Sequence, residues 1–147
     1  MTLVRMCADD VGEVLAIEET VFPYPWSRGN FLDSLVSGYD CWVLRDGAND
    51  LTGYMLLMMI LDEAHLLNIA VRQDRQGQGA GRLLMDQAVM IARNKAAVRL
   101  LLEVRPSNVR AIEIYQRYGY SQIGQRKNYY PAPNNAREDA ILMSLPI

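Results

Sequence analysis

What this sequence of 147 residues lacks narrows it first. It has only two cysteines, Cys7 and Cys41, far apart and in no metal-ligand spacing. No disulfide framework and no metal site are expected, and both thiols read as reduced packing residues. It has no long hydrophobic run. The longest, YMLLMMIL at 54–61, is far too short to span a bilayer. The opening MTLVRMCADD has neither a long apolar segment nor a cleavage pattern, so the expectation is no signal peptide, no membrane and a cytoplasmic location. It has no excess of one charge: 15 Lys and Arg stand against 17 Asp and Glu, for a net −2. That excludes a polybasic anchor or a nucleic-acid sleeve, and no direct nucleic-acid partner is expected. It has no repeat, low-complexity tract or Pro/Ser-rich linker, so one domain over 1–147 is expected.

What is there is ordinary globular material, half of it hydrophobic. LVRM at 3–6 reads as a strand. ADDVGEVLAIEETVF reads as a helix with Val11, Val14 and Leu15 on one face and Asp9 or Asp10 at its N-cap. The prolines of FPYPW, 22–26, end it. Ser27 then caps a second helix with Phe31, Leu32 and Leu35 inward. CWVLRD, LTGYMLLMMILD and EAHLLNIAV read as three strands, the last two apolar enough to be covered on both faces. A helix from about Gly79 to Lys95 follows, with Leu83, Leu84, Ala88 and Ile91 inward. VRLLLEV is a strand, NVRAIEIYQRY a helix capped by Ser107 or Asn108, and YSQIGQRKNYY and DAILMSL two last strands. The order β-α-α-β-β-β-α-β-α-β-β predicts an α/β fold in which the two later helices act as crossovers.

The stretch RQGQGAGRLL, 75–84, sets Gly77, Gly79 and Gly81 at the mouth of a helix. A P-loop needs Gly-Lys-Ser/Thr, and here Arg82 and Leu83 follow Gly81. The dinucleotide fingerprint G-x-G-x-x-G fails in both registers, at Arg82 and at Leu84. A Gly-rich turn before a helix N-terminus points several N–H groups, and the positive end of the helix dipole, at one place. A diphosphate suits it, although a plain loop and cap would also use glycine.

Gln76, Gly79 and Gly81 form a Q-x-x-G-x-G pattern that resembles the acetyl-coenzyme A signature of the GNAT superfamily of N-acetyltransferases. LLNIAV before it and NVRAIEIYQRYGY after it resemble that superfamily's fourth strand and its N-x-x-A-x-x-x-Y-x-x-x-G-F helix. With LDEAHLLNIAV, LLEVRPSN, RKNYYP and REDAILM added, the chain resembles the ribosomal-protein-alanine N-acetyltransferases, the RimI type. The resemblance implies a mixed sheet of about seven strands, splayed between the fourth and fifth, with about four helices. It implies acetyl-CoA as cosubstrate and a protein N-terminus as acceptor, the alanine of the eighteenth small-subunit ribosomal protein. Ile69, Ala70 and Val71 would bind the acetyl-pantetheine arm by their backbone. Gly77, Gln78, Gly79, Ala80, Gly81 and Arg82 would hold the pyrophosphate, and Asn108 would hydrogen-bond the coenzyme. Gly77 stands where relatives often carry Arg, so Arg75 or Arg82 would make up the missing phosphate contact.

Acetyl transfer to an amine needs a proton removed from the ammonium and one given to the leaving thiolate. Glu103, near the carboxyl end of an apolar strand, is the candidate base, with a pKa expected to be raised by burial. Its alternative is a structural pairing with Arg105 or Arg126. Tyr115, one turn beyond Ala111 and two beyond Asn108, is the candidate acid, and its alternative is core packing. His65 is the rival base. FPYPW with Tyr129 and Tyr130 reads as acceptor-groove wall or as hydrophobic plug. The competing functions are acetylation of a small-molecule amine or a lysine, and a non-catalytic coenzyme A-binding module. A monomer is the simplest expectation.

Overall fold

A computed structural model describes residues 1–147. The elements follow the predicted order: β1 Thr2–Arg5, α1 Val11–Val21, α2 Arg28–Val36, β2 Asp40–Arg45, β3 Leu51–Ile60, β4 Glu63–Val71, α3 Ala80–Asn94, β5 Arg99–Val104, α4 Val109–Tyr118, β6 Ser121–Pro131 and β7 Arg137–Pro146. One seven-stranded sheet runs β1-β2-β3-β4-β5-β7-β6. Every neighbouring pair is antiparallel except β4 and β5, which are parallel and joined by α3. The second crossover helix, α4, does not join adjacent strands. β7 returns to pair with β5 and separates it from β6.

Two cores lie on the two faces. Val11, Val14 and Ile17 of α1 and Phe31 of α2 pack with Val43, Tyr54, Leu56 and Ala70. Leu84, Ala88 and Ala92 of α3 pack with Met55, Leu57, Leu66, Leu100 and Leu102. Being covered on both sides is why β3 has no polar alternation: its first seven residues are all buried. The inward face of α3 is rotated slightly from expectation. Met85 and Val89 are buried, whereas Leu83 and Ile91 lie at the margin of the core. Ser27 caps α2 as expected, accepting from Asn30 N at 3.1 Å, while Asn30 Oδ1 accepts from Ser27 N. Asp10 precedes α1 but caps no N–H of it. Its carboxylate instead accepts from Cys7 N across a short 3-10 turn.

One irregularity opens the molecule. Leu56 of β3 faces Asn68 of β4, and Leu57 faces Leu66, so Leu67 is an extra residue. The bulge switches the alternation: Ala64 and Leu66 belong to the α3-side core, but Ala70 belongs to the α1–α2 side. Bulges also bend a strand and increase its twist. β5 pairs with β4 only over Glu63–Leu66, up to the bulge. Beyond it, the Leu67–Val71 edge that faces away from β3 has no strand beside it.

Candidate functional site

A groove of about 570 Å³ fills this split. Its walls come from Phe22, Pro23 and Tyr24 after α1, from Ile69, Ala70 and Val71 of β4, from Gly77 and Gly81, from Arg105, Ser107 and Asn108 after β5, and from Ala111 and Tyr115 of α4. Seven of the residues expected at the site, Ile69, Ala70, Val71, Gly77, Gly81, Asn108 and Tyr115, therefore line a single groove.

Backbone dominates one end. The six consecutive N–H groups from Gly77 to Arg82 have no acceptor within the chain. Gly77 (φ 78°) and Gly79 (φ 88°) take left-handed conformations that only glycine adopts at little cost, and Gly79 begins α3. Gln76 Nε2 donates to Val71 O at 3.0 Å and pins the turn to the free end of β4. A run of orphan N–H groups at the N-terminus of a fifteen-residue helix has the donors and the dipole that an anion favours. Gln78, Gly79, Ala80 and Arg82 offer free backbone N–H groups but are not groove walls. Ala80 is buried in the core, and the Arg82 guanidinium lies 5.1 Å from the Tyr118 ring and 3.6 Å from Asp86. Arg75 is held by Asp46 at 2.7 Å. Both cations expected to stand in at Gly77 thus already face carboxylates, whereas Arg110, which sequence reasoning passed over, lines the groove.

Asn108, not Ser107, caps α4: its Oδ1 accepts from Ala111 N at 3.3 Å, leaving its Nδ2 without a partner in the chain. Tyr115 packs against the α3-side core with its ring edge-on to Tyr120, centroids 5.7 Å apart. Burial pushes its phenol up to about 12, and no protein group hydrogen-bonds it. Glu103 lies on the other face of β5, because Leu102 and Val104 beside it point into the α3-side core. It is not itself a groove wall. Its Oε1 is 3.5 Å from Arg126, and its buried Oε2 has no partner. The two expected proton carriers therefore flank β5 from opposite faces at the place where the sheet splits. His65 sits in the tightly paired half of β4, opposite Leu101 and Met58, and does not line the groove.

Side chains dominate the other end. The Arg105 guanidinium carbon lies 4.6 Å from the Tyr24 ring and 4.3 Å from the Tyr130 ring. Tyr130 meets Tyr129 edge to face at 4.9 Å, and Arg126 lies over Tyr129. Burial, then the charge of Glu103, raises Tyr130 to about 12. Tyr129 and Tyr130 thus stack on cations and are not groove walls. Glu18 of α1 is only 2 % exposed. It accepts from Tyr54 Oη at 2.6 Å, Asn68 Nδ2 at 2.9 Å and Trp26 N at 3.0 Å. It ties the FPYPW segment to β3 and to the β4 bulge. The sequence did carry a signal for it: Glu18 continues the inward i, i+3, i+7 stripe of Val11 and Val14.

A helix N-terminus with orphan N–H groups beside a split parallel pair is the architecture that the glycine signature implied. The model of the acetyltransferase (GNAT) family matches residues 11–120. The chain belongs to that family. It is 35% identical over 146 residues to the [ribosomal protein bS18]-alanine N-acetyltransferase of Escherichia coli K12, covering 99% of this chain and 97% of that protein. The crystal structure of the Escherichia coli ribosomal-protein-S18-alanine N-acetyltransferase superimposes with a TM-score of 0.89 over 99% of this chain and 93% of that one. Chaetomium thermophilum Naa20, solved in complex with a bisubstrate analogue, gives 0.85 at 27% identity, covering 100% of this chain and 87% of that one. The expected fold, seven strands splayed between β4 and β5 with four helices, is the observed one. No helix is long and apolar enough to cross a membrane.

Proposed function

We propose that this chain is an N-α-acetyltransferase that moves acetyl from acetyl-CoA to the N-terminal alanine of the small-subunit ribosomal protein bS18, as a single cytoplasmic catalytic domain. Full-length similarity to enzymes named for that reaction supports the acceptor. The observation that carries the chemistry is the split itself, with six orphan N–H groups at one end and Tyr115 and Glu103 on its two sides.

Bound acetyl-CoA supplies a thioester already activated for attack by an amine. The turn Gly77–Arg82 binds its diphosphate through backbone N–H groups, where glycines let the anion come close. The free Leu67–Val71 edge pairs with the amides of the pantetheine arm as an added strand would. Asn108 Nδ2 is placed to donate to the same arm. On the other face of β5, Glu103 takes the proton of the acceptor ammonium on its unpartnered Oε2, directly or through one water. Tyr115 returns a proton to the departing sulfur. A phenol at about 12 stays protonated at every physiological pH, which a proton donor requires.

An acetylation assay read by mass tests the reading, with alanine-first peptides, N-blocked lysine peptides and polyamines as acceptors. Modification of the α-amine with little of the others is expected. Preference for lysine or polyamine would overturn the acceptor, and binding of coenzyme A with no transfer to any amine would leave a non-catalytic module.

A further inference from the structure

Arg105 is held more completely than a binding-groove arginine needs to be. Tyr24 comes from the segment after α1 and Tyr130 from β6, two elements far apart in the chain. The guanidinium carbon lies close to both, 4.6 Å and 4.3 Å from the two ring centroids. Its Nη1 donates to Pro131 O at 2.7 Å and to Glu138 Oε1 at 3.2 Å. Glu138 is in turn fixed by Ser107 N at 2.8 Å and Ser107 Oγ at 2.9 Å. Every one of these contacts uses a ring face or Nη1. Nε and Nη2 have no acceptor in the chain, and neither is sealed from solvent, although Arg105 lines the groove.

A planar cation locked in this way presents fixed donors, with little side-chain entropy left to lose when an acceptor oxygen arrives. A carbonyl oxygen is the fitting partner, because a carboxylate would compete with Glu138 for the same charge. On the α-amine reading above, on which this inference rests, such a carbonyl is always present: the first peptide C=O lies two bonds from the reacting nitrogen. A lysine side chain or a polyamine has none at that distance.

We propose that Arg105 is a specificity-determining residue that donates from its free N–H groups to the first peptide carbonyl of the acceptor, and so selects chain termini over other amines. Lys would not replace it, because an ammonium lacks the planar fork that the two rings hold.

The test is a cycle of enzyme against acceptor. One acceptor is an alanine-first peptide, and the other is the same peptide with its first amide replaced by a trans-alkene, which keeps the shape and removes the carbonyl. Comparing ratios across enzymes cancels the difference in amine basicity. A hydrogen bond from a charged donor predicts that wild type prefers the amide in kcat/KM by about tenfold or more. In R105M that preference falls to about one to threefold, and R105K stays close to R105M, while the Kd for coenzyme A is unchanged. If R105M does not fold, Tyr24→Leu serves in its place: it removes one stacking face from a half-exposed position and lowers the ratio in the same direction. A ratio equal to wild type in the folded variants, with both acceptors slowed alike, would make Arg105 merely structural and overturn the proposal. A wild type that modifies neither peptide but does modify lysine would instead overturn the α-amine reading, and the proposal with it.

Discussion

The two ends of the groove are built from different materials. At the proposed coenzyme end the atoms offered to a ligand are backbone: the N–H groups of Gly77–Arg82 and the open edge of β4. At the proposed acceptor end they are side chains from separate elements, Tyr24, Arg105, Tyr130 and Glu138, and the FPYPW segment that carries Tyr24 is anchored through Trp26 on the buried Glu18. A backbone site needs particular conformations, so it leaves a local mark of glycines. A side-chain site needs only that distant residues meet, and it leaves no local mark. The first end suits a ligand that never changes, and the second can be re-cut for different acceptors.

The largest predicted effect breaks the acceptor end at its chemistry. Glu103→Gln keeps the shape of the side chain and cannot take a proton, so kcat at neutral pH falls by about 10³-fold, within the range for losing a general base. Coenzyme binding persists, and activity partly recovers at high pH, where the free amine needs no base. Wild-type rates at neutral pH would make Glu103 structural. Tyr115→Phe comes next, with kcat lower by about 10²-fold and an unchanged Kd for coenzyme A. Near-normal kcat, with chemistry shown to limit the rate, would return Tyr115 to packing.

Tyr54→Phe probes the foundation of the acceptor end. It removes one donor to a buried carboxylate and should lower unfolding free energy by about 2 kcal/mol in chemical denaturation. KM for the peptide should rise while Kd for coenzyme A stays put, because Trp26 hangs from the same carboxylate. Gly81→Val tests the coenzyme end alone. A Cβ at Gly81 meets only Val71 Cγ2, at 3.8 Å, so the fold tolerates it while the added methyls crowd the anion site. Coenzyme A should bind about tenfold more weakly, and its stabilisation of the melting temperature should shrink accordingly. Unchanged affinity would move the diphosphate away from this turn.

The last effect is absent at neutral pH and appears only in alkali. Tyr115 and Tyr130 are each raised from 10.0 to about 12, chiefly by burial. The folded state holds these protons more tightly than the unfolded state, so the stability linked to them is complete below pH 10. It is lost as the pH rises from 10 to 12. Thermal melts should be flat to about pH 10 in this respect and then decline. Tyr115→Phe and Tyr130→Phe should each remove part of the decline.

The sequence by itself determined the order of elements, the two-sided burial of β3 and the glycine turn. Each of these is a short-range requirement: periodicity follows from which faces are covered, and a left-handed φ from the absence of Cβ. It also offered the candidate proton groups, Glu103 near the end of an apolar strand and Tyr115 on a helix face with Asn108, which the family resemblance singled out over structural roles. Tertiary structure alone decided the rest. The Leu67 bulge is invisible in an apolar run, because the extra residue is defined only against β3. β7 inserts between β5 and β6 because pairing between distant strands is set by the whole sheet. Arg75 and Arg82 are occupied by Asp46 and Asp86, and Arg105 lies close to two tyrosines, because a charged side chain's partner is whatever the fold brings within reach.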